Sequence, residues 1–207
     1  MIEFNELEQG SEEWHKIRLG KFTASEALAI ATVDKNGDAG AGLKTICYKI
    51  VADRLSIKEY DLSDNFSNED TERGNQLEIL AINAYELRTC KKVKAVGFIQ
   101  MNDNAGCSPD GLVDDDGLVE VKCKNDVNYL RAVVDKKIDK GYIYQMQMQM
   151  LVSGRKWCDF IDFNPNYKNG LLITRITADP VIQEEILLGI ERGKRFLETI
   201  EKAYNEA

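Results

Sequence analysis

Histidine is almost missing from this chain: His15 is the single one in 207 residues. That excludes an HExxH zinc site and any metal held by two imidazoles. General acid or base work must then fall to a carboxylate, a lysine or a metal-bound water. His15 itself stands beside Trp14 in a short polar stretch and reads as a surface or structural residue. Cysteine pairs are missing too. Five cysteines are scattered along the chain and none forms a CxxC pair, so zinc ribbons and thioredoxin-like centres drop out and reduced thiols are expected. No apolar run nears the roughly 20 residues that span a bilayer. The opening MIEFNELEQG is acidic and has no apolar signal core. These absences read as a soluble, intracellular (cytoplasmic) chain with no membrane partner. Positive charge is also short, with a formal net charge of −8. Taken alone, that argues against a nucleic-acid surface, because phosphate contacts need Lys and Arg. A basic channel can still coexist with an acidic outer face.

What remains is the composition of an ordinary folded domain, 43% hydrophobic and 30% charged. No repeat and no Pro- or Ser-rich linker divides the chain, so a single domain over residues 1–207 is expected. Polar loops are expected over 32–42 and 61–70. Between them Leu43, Ile46, Cys47, Ile50, Val51 and Leu55 fall on one helical face. A second helix is expected over 71–90, with Leu77, Leu80, Ala81, Ala84 and Leu87 on its buried side. Residues 96–101 read as a strand and 107–124 as a β-hairpin. Helices are expected over 126–138, 141–153 and 180–204, with late strands in FIDF and LLITRIT. This order predicts an α/β fold with a central mixed β-sheet flanked by helices.

The hairpin carries the chemistry. It reads CSPDGLVDDDGLVEVKCK, from Cys107 to Lys124. The acidic turn between two apolar LV pairs is a hairpin signal. A turn centred near Asp115–Asp116 or Asp116–Gly117 pairs Glu120 near Gly111 to Val113 and brings Asp110 close across the ladder. Glu120 and Lys122 share one face of their strand, and Val119, Val121 and Cys123 face a core. Two adjacent carboxylates repel, which a hard divalent cation would relieve. Such a cation can activate water and stabilise charge on a phosphodiester. The lysine could hold or deprotonate that water, and beside metal cations its pKa would fall. The pattern is PD-(D/E)xK: Pro109-Asp110, then Glu120-Val121-Lys122. The same residues also suit a surface hairpin with a solvated Glu–Lys pair.

Two further residues bear on that choice. Glu78, in GNQLE, is either an exposed helix charge or another carboxylate for the cluster. In YIYQMQMQM, Gln145 and Gln149 share one helical face, either as part of a plain core or with Gln145 binding a metal water or phosphate.

EQGSEEWHKIRLGKFTASE, GCSPDGL, LVEVKCK and YIYQMQMQMLVSGRK together, in this order, resemble the lambda-exonuclease family of phage recombination nucleases, also called YqaJ-type. The resemblance runs from about residue 7 to about residue 170 and is weak across 32–73. It implies a restriction-endonuclease-like PD-(D/E)xK core and a Mg²⁺-dependent 5′-to-3′ exonuclease. Such an enzyme digests one strand of linear duplex DNA from a phosphorylated end and leaves a 3′ single-stranded tail. It implies two Mg²⁺ ions per site, with Mn²⁺ as the alternative, and a ring-shaped homotrimer acting on double-stranded DNA ends in a bacterial host. A single-strand annealing protein would be its partner. By this resemblance Asp110, Glu120, Glu78 and the Val121 carbonyl hold metal, Lys122 acts on the attacking water, and Gln145 begins the helical Gln motif. Arg18, Ser25 and Ser108, with Thr23 nearby, match the grip on the terminal 5′-phosphate. An Arg fork and two hydroxyl donors suit phosphate oxygens, and Ser25 is expected to open a helix whose N-terminus favours an anion. Its plainer role is as an N-cap, with Arg18 a surface charge.

The sequence departs from the family where an apolar wedge should split the duplex end. SNEDTERGNQLE is polar and acidic there, which leaves Phe66 or another loop for that role. Two other functions stay open: an endonuclease or flap nuclease on the same core, and a non-catalytic DNA-end-binding scaffold.

Overall fold

The computed structural model describes residues 1–57 and 69–207, with side chains described for 1–57 and 76–207. Phe66 and most of SNEDTERGNQLE fall outside that range. The elements run β1 (Ile2–Phe4), α1 (Glu12–Arg18), β2 (Phe22–Thr23), a 3-10 turn (Ala24–Glu26), α2 (Ala27–Ala31), α3 (Ala41–Leu55) and α4 (Glu69–Thr89). They continue with β3 (Val93–Lys94), β4 (Phe98–Asn102), β5 (Ala105–Cys107), β6 (Gly111–Val113), β7 (Gly117–Cys123), α5 (Asp126–Asp135), α6 (Lys140–Ser153), β8 (Trp157–Phe163), β9 (Leu171–Thr177) and α7 (Pro180–Asn205).

The strands form two mixed sheets flanked by helices. The larger has the order β3-β6-β7-β8-β9 and the smaller β1-β4-β5-β2. β7 and β8 are parallel neighbours, in register from Gly117–Trp157 to Cys123–Phe163, so the connection through α5 and α6 is a crossover. One apolar cluster packs α2, α3, α6 and α7 against the sheets through residues such as Phe22, Leu43, Leu118, Met146, Phe160 and Ile190. The second lies under α4, from Ala81, Tyr85, Val119, Val121, Trp157 and Ile161. β7 is therefore covered on both sides. Its even residues Leu118 and Glu120 are buried with the first cluster's side, and Val119 and Val121 belong to the second.

Several expectations need correction. The stretch from Cys107 to Lys124 is not one hairpin. Cys107 ends a strand of the smaller sheet, Ser108–Asp110 turn, and only Gly111–Val113 pairs with β7. The hairpin loop is Asp114–Asp116, centred on Asp115, and Asp114 adopts a left-handed φ of 49°. Gly111 thus faces Val119, not Glu120. Continuing that register one step sets Asp110 opposite Glu120, so the expected proximity survives the shifted turn.

On α4 the buried stripe is Ala81 and Tyr85, with Leu77 and Ala84 packed beside them, whereas Leu80 and Leu87 face solvent. The aromatic ring at 85 outcompetes the leucines because its hydroxyl has a buried carboxylate, Asp159, to donate to at 2.7 Å. Leu55, at the frayed end of α3, is also exposed. The helix expected over 126–138 stops at Asp135, where Lys136 takes a left-handed φ of 50° as a C-cap.

Candidate active site

β7 positions two of the predicted groups. Glu120 lies mid-strand and is 1% exposed. Such a carboxylate needs partners in a buried setting, and α6 supplies two. Gln145 Nε2 donates to Glu120 Oε1 at 2.7 Å, and Gln149 Nε2 donates to Oε2 at 2.7 Å. Both amides reach the same carboxylate because residues four apart stack on one helix face. The intervening Gln147 points elsewhere, donating to the Thr177 carbonyl and accepting from the Asp179 amide. Lys122, two residues along the strand, sets its Nζ 2.6 Å from Glu120 Oε1 and 5.1 Å from the centre of the Tyr142 ring.

Asp110 enters from the turn before β6. Its Oδ2 accepts the Val121 amide at 2.6 Å, which anchors it across β7. Burial, then the charges of Glu120 and Glu78, push its pKa well above the usual carboxylate range, against the opposing pull of Lys122 and the Val121 amide. Glu78, half-buried on α4, is also raised by burial and then by Glu120. Burial acts against the charge on Lys122, but Glu120 and Asp110 outweigh it and hold its pKa above the ordinary lysine value.

The structure thus brings Asp110, Glu120, Lys122, Glu78 and Gln145 into one electrostatic neighbourhood. It also gives contacts to two residues that the sequence places near Gln145: Gln149, which donates to Glu120, and Tyr142, whose ring lies beside Lys122. The Met-Gln alternation signalled Gln149, but only α6 packing on β7 shows its target.

A divalent cation fits this chemistry, because Asp110 and Glu78 are carboxylates whose charge is opposed by burial and by neighbours of like sign. Among the described residues, no three His, Cys, Asp or Glu side chains gather closely enough to chelate an ion alone. Backbone carbonyls and waters must complete the shell, as Mg²⁺ sites commonly require. Glu120 already accepts at both oxygens, yet a carboxylate offers about four lone-pair sites.

The second predicted group adjoins the first. Arg18 lies with its guanidinium carbon 3.9 Å from the Trp14 ring centroid, and Nη1 donates to Ser108 Oγ at 3.2 Å. Trp14 Nε1 reaches the same hydroxyl at 3.0 Å and the Gly97 carbonyl at 2.9 Å. Ser108 stands two residues before Asp110, and the buried Cys107 thiol feels both Glu120 and Arg18. Thr23 and Ser25 form a separate pair, Oγ to Oγ 3.3 Å, and Thr23 also donates to Glu26 at 3.3 Å. Ser25 does not open or cap a helix. It sits inside the 3-10 turn, whose N-cap is Thr23, and α2 is only five residues long. The expected anion-favouring helix terminus is therefore not the source of any phosphate affinity here. His15 packs edge-on against Trp14, 4.9 Å between centroids, with its pKa lowered by partial burial and then by Arg18.

With this geometry in hand, comparison with known proteins is informative. A family model, the YqaJ-like viral recombinase domain, matches residues 13–156. The chain belongs to that family. The matched span contains Arg18, Glu78, Asp110, Glu120, Lys122 and Gln145. Among solved structures, the alkaline exonuclease LHK-Exo from Laribacter hongkongensis is 31% identical, over 95% of this chain and 100% of that one, with a TM-score of 0.78. LHK-Exo in complex with dAMP is 32% identical over the same shares, with a TM-score of 0.81. A phage related exonuclease from Haemophilus somnus 129PT is 16% identical over 89% and 96% with a TM-score of 0.69, a likeness of fold. No curated protein sequence matches. Family and structural relatives together indicate a nuclease of the viral recombinase type. No described helix is long and apolar enough to cross a membrane.

Proposed function

We propose that this YqaJ-like chain is a single-domain, Mg²⁺-dependent 5′-to-3′ exonuclease that digests one strand of linear duplex DNA from a 5′-phosphorylated end. The observation that carries the reading is the adjacency of two sites: the Asp110–Glu120–Lys122 cluster and the Arg18–Ser108 pair joined to it by two residues of chain. Asp110, Glu120, Glu78 and the Val121 carbonyl would hold one or two Mg²⁺ ions, which supply a polarised water and charge neutralisation at the scissile phosphate. Lys122 orients that water and holds its proton balance. Gln145 and Gln149 keep Glu120 in one orientation. Arg18 and Ser108 grip the terminal phosphate, with Thr23 and Ser25 on the same approach, so that the first phosphodiester lies over the carboxylates. LHK-Exo has been solved with dAMP, and mononucleotide release is the product expected here. A homotrimeric ring around the duplex, delivery of the 3′ tail to a single-strand annealing protein, and action inside a bacterial host of a phage or prophage follow from the family resemblance.

The test is digestion with Mg²⁺ of three duplexes: 5′-phosphorylated linear, 5′-hydroxyl linear and closed circular. Rapid loss of one strand from the first, slower loss from the second and a spared circle are expected. A cut circle would replace the exonuclease with an endonuclease. End binding without cleavage would replace it with a scaffold.

A further inference from the structure

A cleft of about 320 Å³ opens between the loop before α3 and the helices α3 and α7. Lys44, Arg192 and Arg195 contribute three cations to its lining, beside Thr199 and Phe196, and Asp38 is the one carboxylate. The chain as a whole carries an excess of eight negative charges, so a net positive cleft runs against its composition. Among the described residues, none of the three cations forms an ion pair within 4.0 Å. Lys44 attracts Asp34 only at longer range. Arg192 is tied down at one end, donating from Nη2 to the Ala31 carbonyl at 3.4 Å, while its Nε is buried without an acceptor. An unpaired buried donor on a charged group is costly, and an oxyanion in the cleft would offset the uncompensated charge of that guanidinium through its lining atoms. Acidic partners are abundant elsewhere on α7, where Lys194 pairs with Glu191. Among the described residues, the cleft cations have no acidic group within 4.0 Å.

We propose that this cleft is a second phosphate-binding site, which holds a backbone phosphate of bound DNA apart from the cleavage centre. The guanidinium groups of Arg192 and Arg195 and the ammonium of Lys44 suit phosphate oxygens in charge and in donor number. The Arg192 contact to Ala31 places the cleft at the far end of α2 from Thr23 and Ser25. A strand whose 5′ end is gripped near Arg18 could therefore pass its duplex body along this helix. The cation set stands by itself, while assignment of the anion to DNA rests on the nuclease reading.

The test compares the full-length protein with Lys44→Gln/Arg195→Gln, both surface positions whose loss spares the packing of Arg192. Duplex affinity is measured with Ca²⁺ in place of Mg²⁺ across 50–200 mM salt. Each lost phosphate contact flattens the plot of log affinity against log salt by about 0.9, so the double variant, which loses the grip on one phosphate, should lose about 0.9 from the slope. In parallel, inorganic phosphate is titrated against thermal unfolding, with chloride at matched ionic strength. Phosphate should raise the melting temperature of the parent more than that of the variant. Equal phosphate stabilisation of the two proteins overturns the site. A difference in phosphate stabilisation with equal salt slopes overturns the backbone assignment and makes the ligand a free phosphate. If the parent fails to bind duplex, the nuclease reading fails, and the phosphate titration alone decides the cleft.

Discussion

Replacing Gln149 with leucine separates the two roles of a fully buried amide. Its Nε2 donates to Glu120 Oε2 at 2.7 Å, and its Oε1 is buried without a partner. Losing a hydrogen bond to a charged group costs about 1.5–3 kcal/mol, the upper end applying because Glu120 Oε2 is left buried without that donor, and removing an unsatisfied buried acceptor returns about 1–3 kcal/mol. The offset is partial, so the stability of Gln149→Leu should fall by no more than about 2 kcal/mol. For a chain of this size that is a melting shift of at most about 4–8 °C. Activity should not be spared. Glu120 keeps Gln145 and Lys122 on Oε1 but loses the restraint on Oε2, so its carboxylate can rotate. Changes to groups that orient a metal-binding carboxylate typically cost about 10–100-fold. We expect a loss of that size in the digestion rate of phosphorylated linear duplex, and a rise in the Mg²⁺ concentration giving half-maximal rate. A melting loss well beyond about 8 °C with unchanged rate and Mg²⁺ demand would refute the reasoning, because Gln149 would then be a packing residue only.

Three other outcomes are expected. Trp14→Phe keeps a ring under Arg18 but removes the donations to Ser108 Oγ and to the Gly97 carbonyl. It should narrow the rate difference between 5′-phosphate and 5′-hydroxyl duplexes, with a melting loss of about 2–6 °C from the lost hydrogen bonding. Gly189→Ala places a Cβ 2.2 Å from the Ile30 carbonyl oxygen, forcing α7 away from α2, so urea unfolding should show a loss of about 1–3 kcal/mol despite the better helix propensity of alanine. The Cys47 thiol is buried and pushed up to about 11 by that burial, whereas Cys90 is exposed. Iodoacetamide at pH 8 should therefore label Cys90 and spare Cys47 in mass spectra of the native protein.

The fold was legible wherever a single period ruled a segment. α3 and α7 carry apolar residues at helical spacing, and β8 and β9 are rich in β-branched and aromatic residues, so their existence could be read directly. Of the smaller sheet only β4 was legible, as the strand expected over 96–101: β1, β2 and β5 are two or three residues long, too short for periodicity, and their pairing is long-range. The Asp110 to Lys122 set was readable because strand alternation is local. Its supporting groups were harder. That Gln149 reaches Glu120, that Trp14 carries Arg18 and that Tyr85 displaces Leu80 and Leu87 from the core are consequences of tertiary packing. Ser25 misled because TASE looks like a helix start, while the chain turns first through a 3-10 segment.

The most direct measurement is digestion of 5′-phosphorylated linear duplex by Asp110→Asn beside the parent, with circular dichroism and duplex binding recorded for both. The account predicts a folded variant that binds the duplex end and releases no mononucleotides at any Mg²⁺ concentration. A folded Asp110→Asn protein that digests DNA at the parental rate would contradict it, and would move the cleavage centre away from the β6–β7 hairpin.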